Sequence, residues 1–311
     1  MEKKIDHSYL KIGGLSLHIA HIGTGELGTV VFVHGFPEIW YSWRHQMVAA
    51  AEAGFRAIAP DLRGFGLSQQ PSNLENFSWE DLVADLLAIL DSFHIPKAFF
   101  VAKDFGAKPV FDLALYQSEK VLGVVTLGVP PTVSSFCNSL PEGFYICRWR
   151  EPGRAEADFG RFSVERVLRT IYILFSRSEV PIAKEGQEIM DLANSSTPLP
   201  WWFTDEDLAI YAALYEKSGF TVPLQIPYRT VTKNPSISSN PKFEVPMFLI
   251  MGEKDYFIKF PKVEDYISSG MVRNFAPDLE ITFIPEGSHF VQEQFPDHVN
   301  HLIVSFLMKH I

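Results

Sequence analysis

The stretch Phe99-Phe100-Val101-Ala102-Lys103-Asp104-Phe105-Gly106-Ala107 most restricts what this chain can fold into. An apolar run of strand-forming residues passes, with no linker, through a small residue, Asp104 and a glycine into a helical pattern. That is the layout of a nucleophile elbow, a strand-to-helix turn so sharp that its central side chain stands above the sheet. Ala102 and Gly106 are the small flanks that relieve the crowding. The central position usually holds Ser, and here it holds Asp104. A carboxylate is already anionic at neutral pH and needs no base to attack. Asp104 therefore points to displacement at a saturated carbon rather than to ordinary ester cleavage.

The rest of the chain supplies a sheet for such a turn. Short apolar, β-branched runs read as strands at Leu15–Ile22, Thr29–His34, Arg56–Ala59, Ala98–Lys103, Val121–Leu127, Met247–Met251 and Glu280–Ile284. Amphipathic stretches alternate with them, the pattern of a mostly parallel α/β sheet with helices on both faces. Between Ser78 and Phe93, Trp79, Leu82, Val83, Leu86, Leu87 and Leu90 share one predicted face, with Ser78 and Asp81 spaced as a capping box. A second helix follows Pro296, burying Val299, Leu302, Ile303, Phe306 and Leu307. From about Pro130 to Pro241 strand-like runs give way to aromatic-rich helical segments, one starting at Thr204 and running toward Gly219. The expected organisation is a core of residues 1–130 and 242–311 with a helical cap, 131–241, inserted after the sixth strand. Such an insertion covers the carboxyl ends of the strands, where ligands bind in α/β folds.

Bulk properties narrow the partners. A net charge of −10 argues against nucleic acid and anionic membrane surfaces, which demand basic patches, and is neutral about an apolar substrate. Cys137 and Cys147 have no metal-ligand spacing and cannot staple a chain of 311 residues, which fits a reducing compartment. Met1–His7 carries charges with no apolar run behind them, unlike a signal peptide, and no apolar run reaches the ~18 residues of a membrane helix. The expectation is a cytoplasmic protein.

An elbow nucleophile predicts an acid and then a His further along the chain. Asp255 closes Leu249-Ile250-Met251-Gly252-Glu253-Lys254-Asp255, a strand and a Gly-containing turn, and His289 follows a strand in Pro285-Glu286-Gly287-Ser288-His289-Phe290. Singly, each reads equally as a turn residue or a structural loop His; together, in order and at strand ends, they read as a triad. After the apolar run Val30–Val33 comes His34-Gly35-Phe36-Pro37-Glu38. The backbone N–H groups of Phe36 and of Phe105, the residue after the nucleophile, are the expected oxyanion-hole donors, with both rings as pocket walls. His34 reads as a loop-holding histidine rather than a base. Asp61-Leu62-Arg63-Gly64-Phe65-Gly66 lacks phosphate-loop spacing and reads as a structural turn.

Together, His34-Gly35-Phe36-Pro37, the Asp nucleophile, the Gly-x-x-Asp turn and the late His resemble the α/β-hydrolase-fold epoxide hydrolases. Trp40-Tyr41-Ser42-Trp43-Arg44-His45-Gln46-Met47 and Ala59-Pro60-Asp61-Leu62-Arg63-Gly64 are similar to the soluble plant branch. The resemblance covers nearly the whole chain and implies the α/β-hydrolase fold: a mostly parallel eight-stranded sheet with a cap. It also implies two cap tyrosines that hold and protonate an epoxide oxygen. One precedes a Glu-Pro-Gly by six residues, which is Tyr145 before Glu151-Pro152-Gly153; the other directly precedes an Arg, which is Tyr228 before Arg229. The implied reaction turns a lipophilic epoxide, fatty-acid or aryl in type, plus water into a vicinal diol. It runs through an Asp104 ester, with no metal or organic cofactor. Haloalkane and haloacetate dehalogenases share the Asp-His-Asp triad, and a non-catalytic small-molecule receptor could share the fold; both stay open here.

Two positions depart from that pattern. Many relatives have Gly-His-Asp-Trp-Gly where this chain has Ala102-Lys103-Asp104-Phe105-Gly106. Lys103 has two open placements, an ion pair with Glu38 beside the hydrolytic water or projection to solvent. Pro227 replaces an Asn-aromatic pattern found before the cap Tyr-Arg in some relatives, which leaves the setting of Tyr228 open.

Overall fold

The computed structural model describes residues 4–74, 77–132, 140–230 and 241–311; Cys137 lies outside them, as do residues 133–139 and 231–240 near the two ends of the expected cap. The strands are β1 (Asp6–Ile12), β2 (Leu15–Ile22), β3 (Thr29–Val33), β4 (Arg56–Pro60), β5 (Ala98–Lys103), β6 (Val121–Leu127), β7 (Met247–Gly252) and β8 (Leu279–Ile284). They form one sheet in the order β1-β2-β4-β3-β5-β6-β7-β8. The pairs β1/β2 and β2/β4 are antiparallel, and every other pair is parallel. The α/β-hydrolase fold expected from sequence is the fold found. Only β1 escaped the sequence reading. It is an edge strand whose residues are mostly exposed or half-buried, so it lacks the apolar run that marks the others.

Alternation along the strands sends neighbouring side chains to opposite faces, and both faces are covered. On β5, Phe99 and Val101 join one core with Trp43, Met47 and Ala50, while Phe100 and Ala102 join the other with Leu82, Leu86 and Val110. The first core is closed by α1 (Arg44–Glu52) and the C-terminal helix, Pro296–Lys309. The second is closed by α2 (Trp79–Ser92) and α3 (Ala107–Tyr116). Asp81 accepts from the Ser78 backbone N–H at 2.8 Å, as the capping spacing predicts. The buried face of α2 is rotated from the expected one. Ile89 and Asp85 are buried, whereas Val83 and Leu87 are only half-buried. Arg63 reaches Asp85 at 2.7 Å and so allows a carboxylate into the core, a compensation that periodicity does not reveal.

Between β6 and β7 the described residues carry no strand. They form α4 (Tyr145–Arg150), α5 (Arg154–Phe159), α6 (Val164–Phe175), α7 (Asp205–Ser218) and α8 (Thr221–Arg229). The Thr204 start is a full capping box: Thr204 Oγ1 accepts from the Asp207 N–H at 3.0 Å, and Asp207 accepts from the Thr204 N–H at 3.2 Å. Asp207 also receives Arg44 at 3.0 Å, and Arg44 bonds Glu293 at 2.6 Å, so one guanidinium at the start of α1 ties α7 to the segment that follows β8. No helix among the described residues is long and apolar enough to cross a membrane.

Candidate active site

At the end of β5 the chain turns directly into α3. Asp104 sits there with φ of 52°, in the left-handed region that L-residues rarely adopt. That backbone lifts the carboxylate off the sheet. The turn is possible because Gly106 lies against the β3 strand end, where an added Cβ would come 2.4 Å from the His34 carbonyl oxygen. The Phe36 N–H donates to Asp104 Oδ1 at 3.1 Å, and the Phe105 backbone N–H also bonds the carboxylate. Both expected oxyanion donors thus point at the group whose carbonyl they would serve.

Asp255 and His289 arrive on the loops after β7 and β8. Those loops touch through Gly252, where a Cβ would lie 2.2 Å from the Gly287 carbonyl oxygen. His289 Nδ1 is 3.0 Å from Asp255 Oδ1, and Nε2 is 3.5 Å from Asp104 Oδ2. The Phe257 N–H, donating to Asp255 Oδ1 at 2.9 Å, fixes the acid in turn. Burial works against ionisation of Asp104, but the hydrogen bond and charge of His289, helped by Lys103, hold its carboxyl below the usual range. Burial likewise pushes His289 down, yet the Asp255 charge and the Asp104 hydrogen bond outweigh it and raise its proton affinity. The three residues read from sequence as a triad therefore meet, with the Asp104 carboxyl held below its ordinary range.

Tyr145 and Tyr228 face the same cleft from above. Their rings meet edge-on with centroids 6.3 Å apart, and Tyr228 packs on Phe105 at 5.4 Å. Arg229 accounts for this placement. Its guanidinium bonds the Trp149 carbonyl at 2.9 Å and the Glu151 carbonyl at 3.2 Å, capping the C-terminus of α4, the helix that Tyr145 begins. Glu156 holds the same guanidinium at 2.5 and 2.9 Å. The Tyr-Arg pair thus locks one tyrosine beside the other, and Pro227 is accommodated inside α8. The cleft is narrow and is walled mostly by aromatic rings, Phe36 and Phe105 among them.

Sequence reasoning missed Trp149, Phe175, Tyr256 and Phe290, which also line this cleft. Tyr256 and Phe290 directly follow Asp255 and His289, and that adjacency was the available signal. Trp149 and Phe175 lie on helices whose apolar faces read as ordinary packing.

Lys103 does not project to solvent. It is fully buried, with Nζ 3.7 Å from Glu38 Oε2 and 4.9 Å from the Phe290 ring centre. Glu38, also fully buried, takes a 2.5 Å hydrogen bond from Gln292. His34 holds its loop as expected: Nε2 accepts from the Leu62 N–H at 2.9 Å, and Nδ1 lies 2.8 Å from the Gly35 carbonyl oxygen. Asp61 is a structural turn residue, accepting from the Trp40 N–H at 2.8 Å and the Leu67 N–H at 3.0 Å.

Residues 28–185 match a family model described as alpha/beta hydrolase fold. The chain is 34% identical to Epoxide hydrolase 1 of Siraitia grosvenorii, over 99% of each chain. Among solved structures it is similar to an epoxide hydrolase from Vigna radiata (TM-score 0.89, 34% identity, 98% of each chain). It is also similar to a mutant of potato epoxide hydrolase (TM-score 0.88, 32% identity, 98% of this chain and 100% of the other).

Proposed function

The chain belongs to the α/β-hydrolase-fold epoxide hydrolases, and on that premise we propose that it opens a lipophilic epoxide through a covalent ester on Asp104. One observation carries this reading: the elbow carboxylate faces two tyrosines across one aromatic cleft, with His289 Nε2 3.5 Å from it. Asp104 attacks a ring carbon from below while Tyr145 and Tyr228, on the cap of residues 131–241, hydrogen-bond the epoxide oxygen. One of them supplies the proton as the C–O bond breaks. Phenols, ordinarily near ~10, suit an alkoxide that must be protonated. A departing halide takes no proton, so this pair favours an epoxide over a haloalkane.

His289, oriented by Asp255, then removes a proton from water, which attacks the ester carbonyl. The Phe36 and Phe105 N–H groups hold the oxyanion; losing such a donor typically costs ~3–4 kcal/mol. The diol leaves and the proton on His289 restores the tyrosine. Esterification itself prepares this step. It neutralises Asp104, removing a hydrogen-bonding partner that raises the proton affinity of His289, and frees the imidazole to act as a base. The aromatic walls suit an apolar substrate, fatty-acid or aryl in type. A single turnover in heavy-oxygen water tests the route: label is expected in the Asp104 carboxylate, and label in the first diol refutes it.

Lys103 takes part in the second step by pairing with Glu38 beside the hydrolytic water. Its ammonium also lowers the proton affinity of His289. In Lys103→Met the acid limb of ester hydrolysis is expected to move to higher pH, because His289 then keeps its proton longer. Buried Glu38 also loses its counter-ion, a loss that typically costs ~3–5 kcal/mol of stability. Denaturant melts and the pH profile of ester breakdown check both; an unmoved acid limb removes Lys103 from the mechanism.

A further inference from the structure

Tyr256 is the first residue after the triad acid, and it is almost wholly buried. Its hydroxyl lies 3.2 Å from that of Tyr145, and its ring sits 4.8 Å from the His289 ring and 5.0 Å from Phe175. It lines the cleft that holds Asp104. Packing alone would be served by Phe, since a buried phenol O–H gains little unless it is hydrogen-bonded. The bond that it makes is to one of the two groups expected to handle the epoxide oxygen.

We propose that Tyr256 is a positioning residue for epoxide opening, a third phenol that aims Tyr145 and stabilises the tyrosinate left when Tyr145 gives up its proton. The inference rests on the covalent reading above. As the Asp104–carbon bond forms and the ring C–O bond breaks, the nascent alkoxide takes the Tyr145 phenolic proton. Negative charge is then left on the Tyr145 oxygen, at the position Tyr256 O–H can reach. Burial, followed by the proximity of Tyr145 and Asp104, pushes the Tyr256 phenol well above the ordinary 10, so it stays a neutral donor throughout the working range. The proton that His289 takes from water returns to Tyr145, so epoxide plus water balances diol with Tyr256 unchanged.

A hydrogen bond to a charged group carries enough free energy for roughly a 10- to 100-fold change in rate. Tyr256→Phe keeps the ring and its packing. With stilbene oxide in single turnover, followed by quench and intact-protein mass, ester formation is expected to slow roughly 10- to 100-fold. Its alkaline limb should move to higher pH, because Tyr145 loses a partner that favours its ionised form. Ester breakdown should keep its rate. In a Tyr145→Phe background the same substitution should change nothing further, since its partner is gone. Unchanged ester formation with an unmoved alkaline limb overturns the proposal. So does a parallel loss in formation and breakdown with a lowered melting temperature, which would mark Tyr256 as packing only. If the unsubstituted enzyme forms no ester at all, the covalent reading falls first and this one with it. If it does and Tyr256→Phe matches it, this inference alone is lost.

Discussion

His289→Gln is expected to stop the enzyme at the ester, with close to one substrate equivalent bound per chain. Alkylation does not need the imidazole as a base, because Asp104 attacks as a carboxylate that is already ionised. Loss of His289 removes the leading influence that holds the Asp104 carboxyl low, but Lys103 and the Phe105 N–H remain and act in the same direction. Hydrolysis of the ester, by contrast, loses its general base, and such groups contribute ~10²–10⁴-fold. Gln fills most of the imidazole's space and can still donate toward Asp255, so the fold around the 3.0 Å His289–Asp255 contact should persist. Intact-protein mass spectrometry should then show a gain equal to the epoxide, mapping to the peptide that contains Asp104. Asp104→Ala should show no gain. Full-rate diol formation by His289→Gln, or an adduct surviving in Asp104→Ala, would contradict the assignment.

The local layout of the candidate site was legible in the sequence, and what depends on distant partners was not. The elbow was readable because every requirement lies within residues 99–107: a doubly buried strand, small flanks and a carboxylate at the turn. Asp255 and His289 were readable because strand ends in this topology share one edge. β1 was missed because mostly exposed or half-buried residues blur its alternation, although Gly13-Gly14 between it and β2 was a usable hairpin signal. The rotation of α2 depended on Arg63, which approaches from another part of the chain and lets Asp85 be buried. Lys103 could not be placed from its neighbours, since an apolar strand end suits both an exposed lysine and a buried one. Its burial follows from Glu38, 65 residues earlier, as its ion-pair partner. Tyr256 was invisible for the same reason: its phenol is explained by Tyr145, 111 residues away.

Replacing both Tyr145 and Tyr228 with Phe is expected to slow ester formation by about 10²–10⁴-fold, the usual range for general acid catalysis. The argument turns on where charge develops. Ring opening places a full negative charge on the epoxide oxygen, in a cleft whose walls are aromatic and supply few other donors. Without a phenol the alkoxide would form unprotonated in apolar surroundings, which is costly. Tyr145→Phe should cost at least as much as Tyr256→Phe, and the single effects of Tyr145→Phe and Tyr228→Phe should sum to less than the double effect on a logarithmic scale, because the rings lie side by side and the remaining hydroxyl can still serve the oxygen. Folding should be little affected, since the ring contacts to Phe105, Trp149 and Phe175 need no hydroxyl. Ester breakdown should be less sensitive, because its oxyanion is held by the Phe36 and Phe105 N–H groups at the opposite side of the cleft. Rapid-quench rates of formation and breakdown for the three variants decide the matter. A double variant that forms ester at the unsubstituted rate would mean that another donor protonates the oxygen, and the assignment of both cap tyrosines would fail.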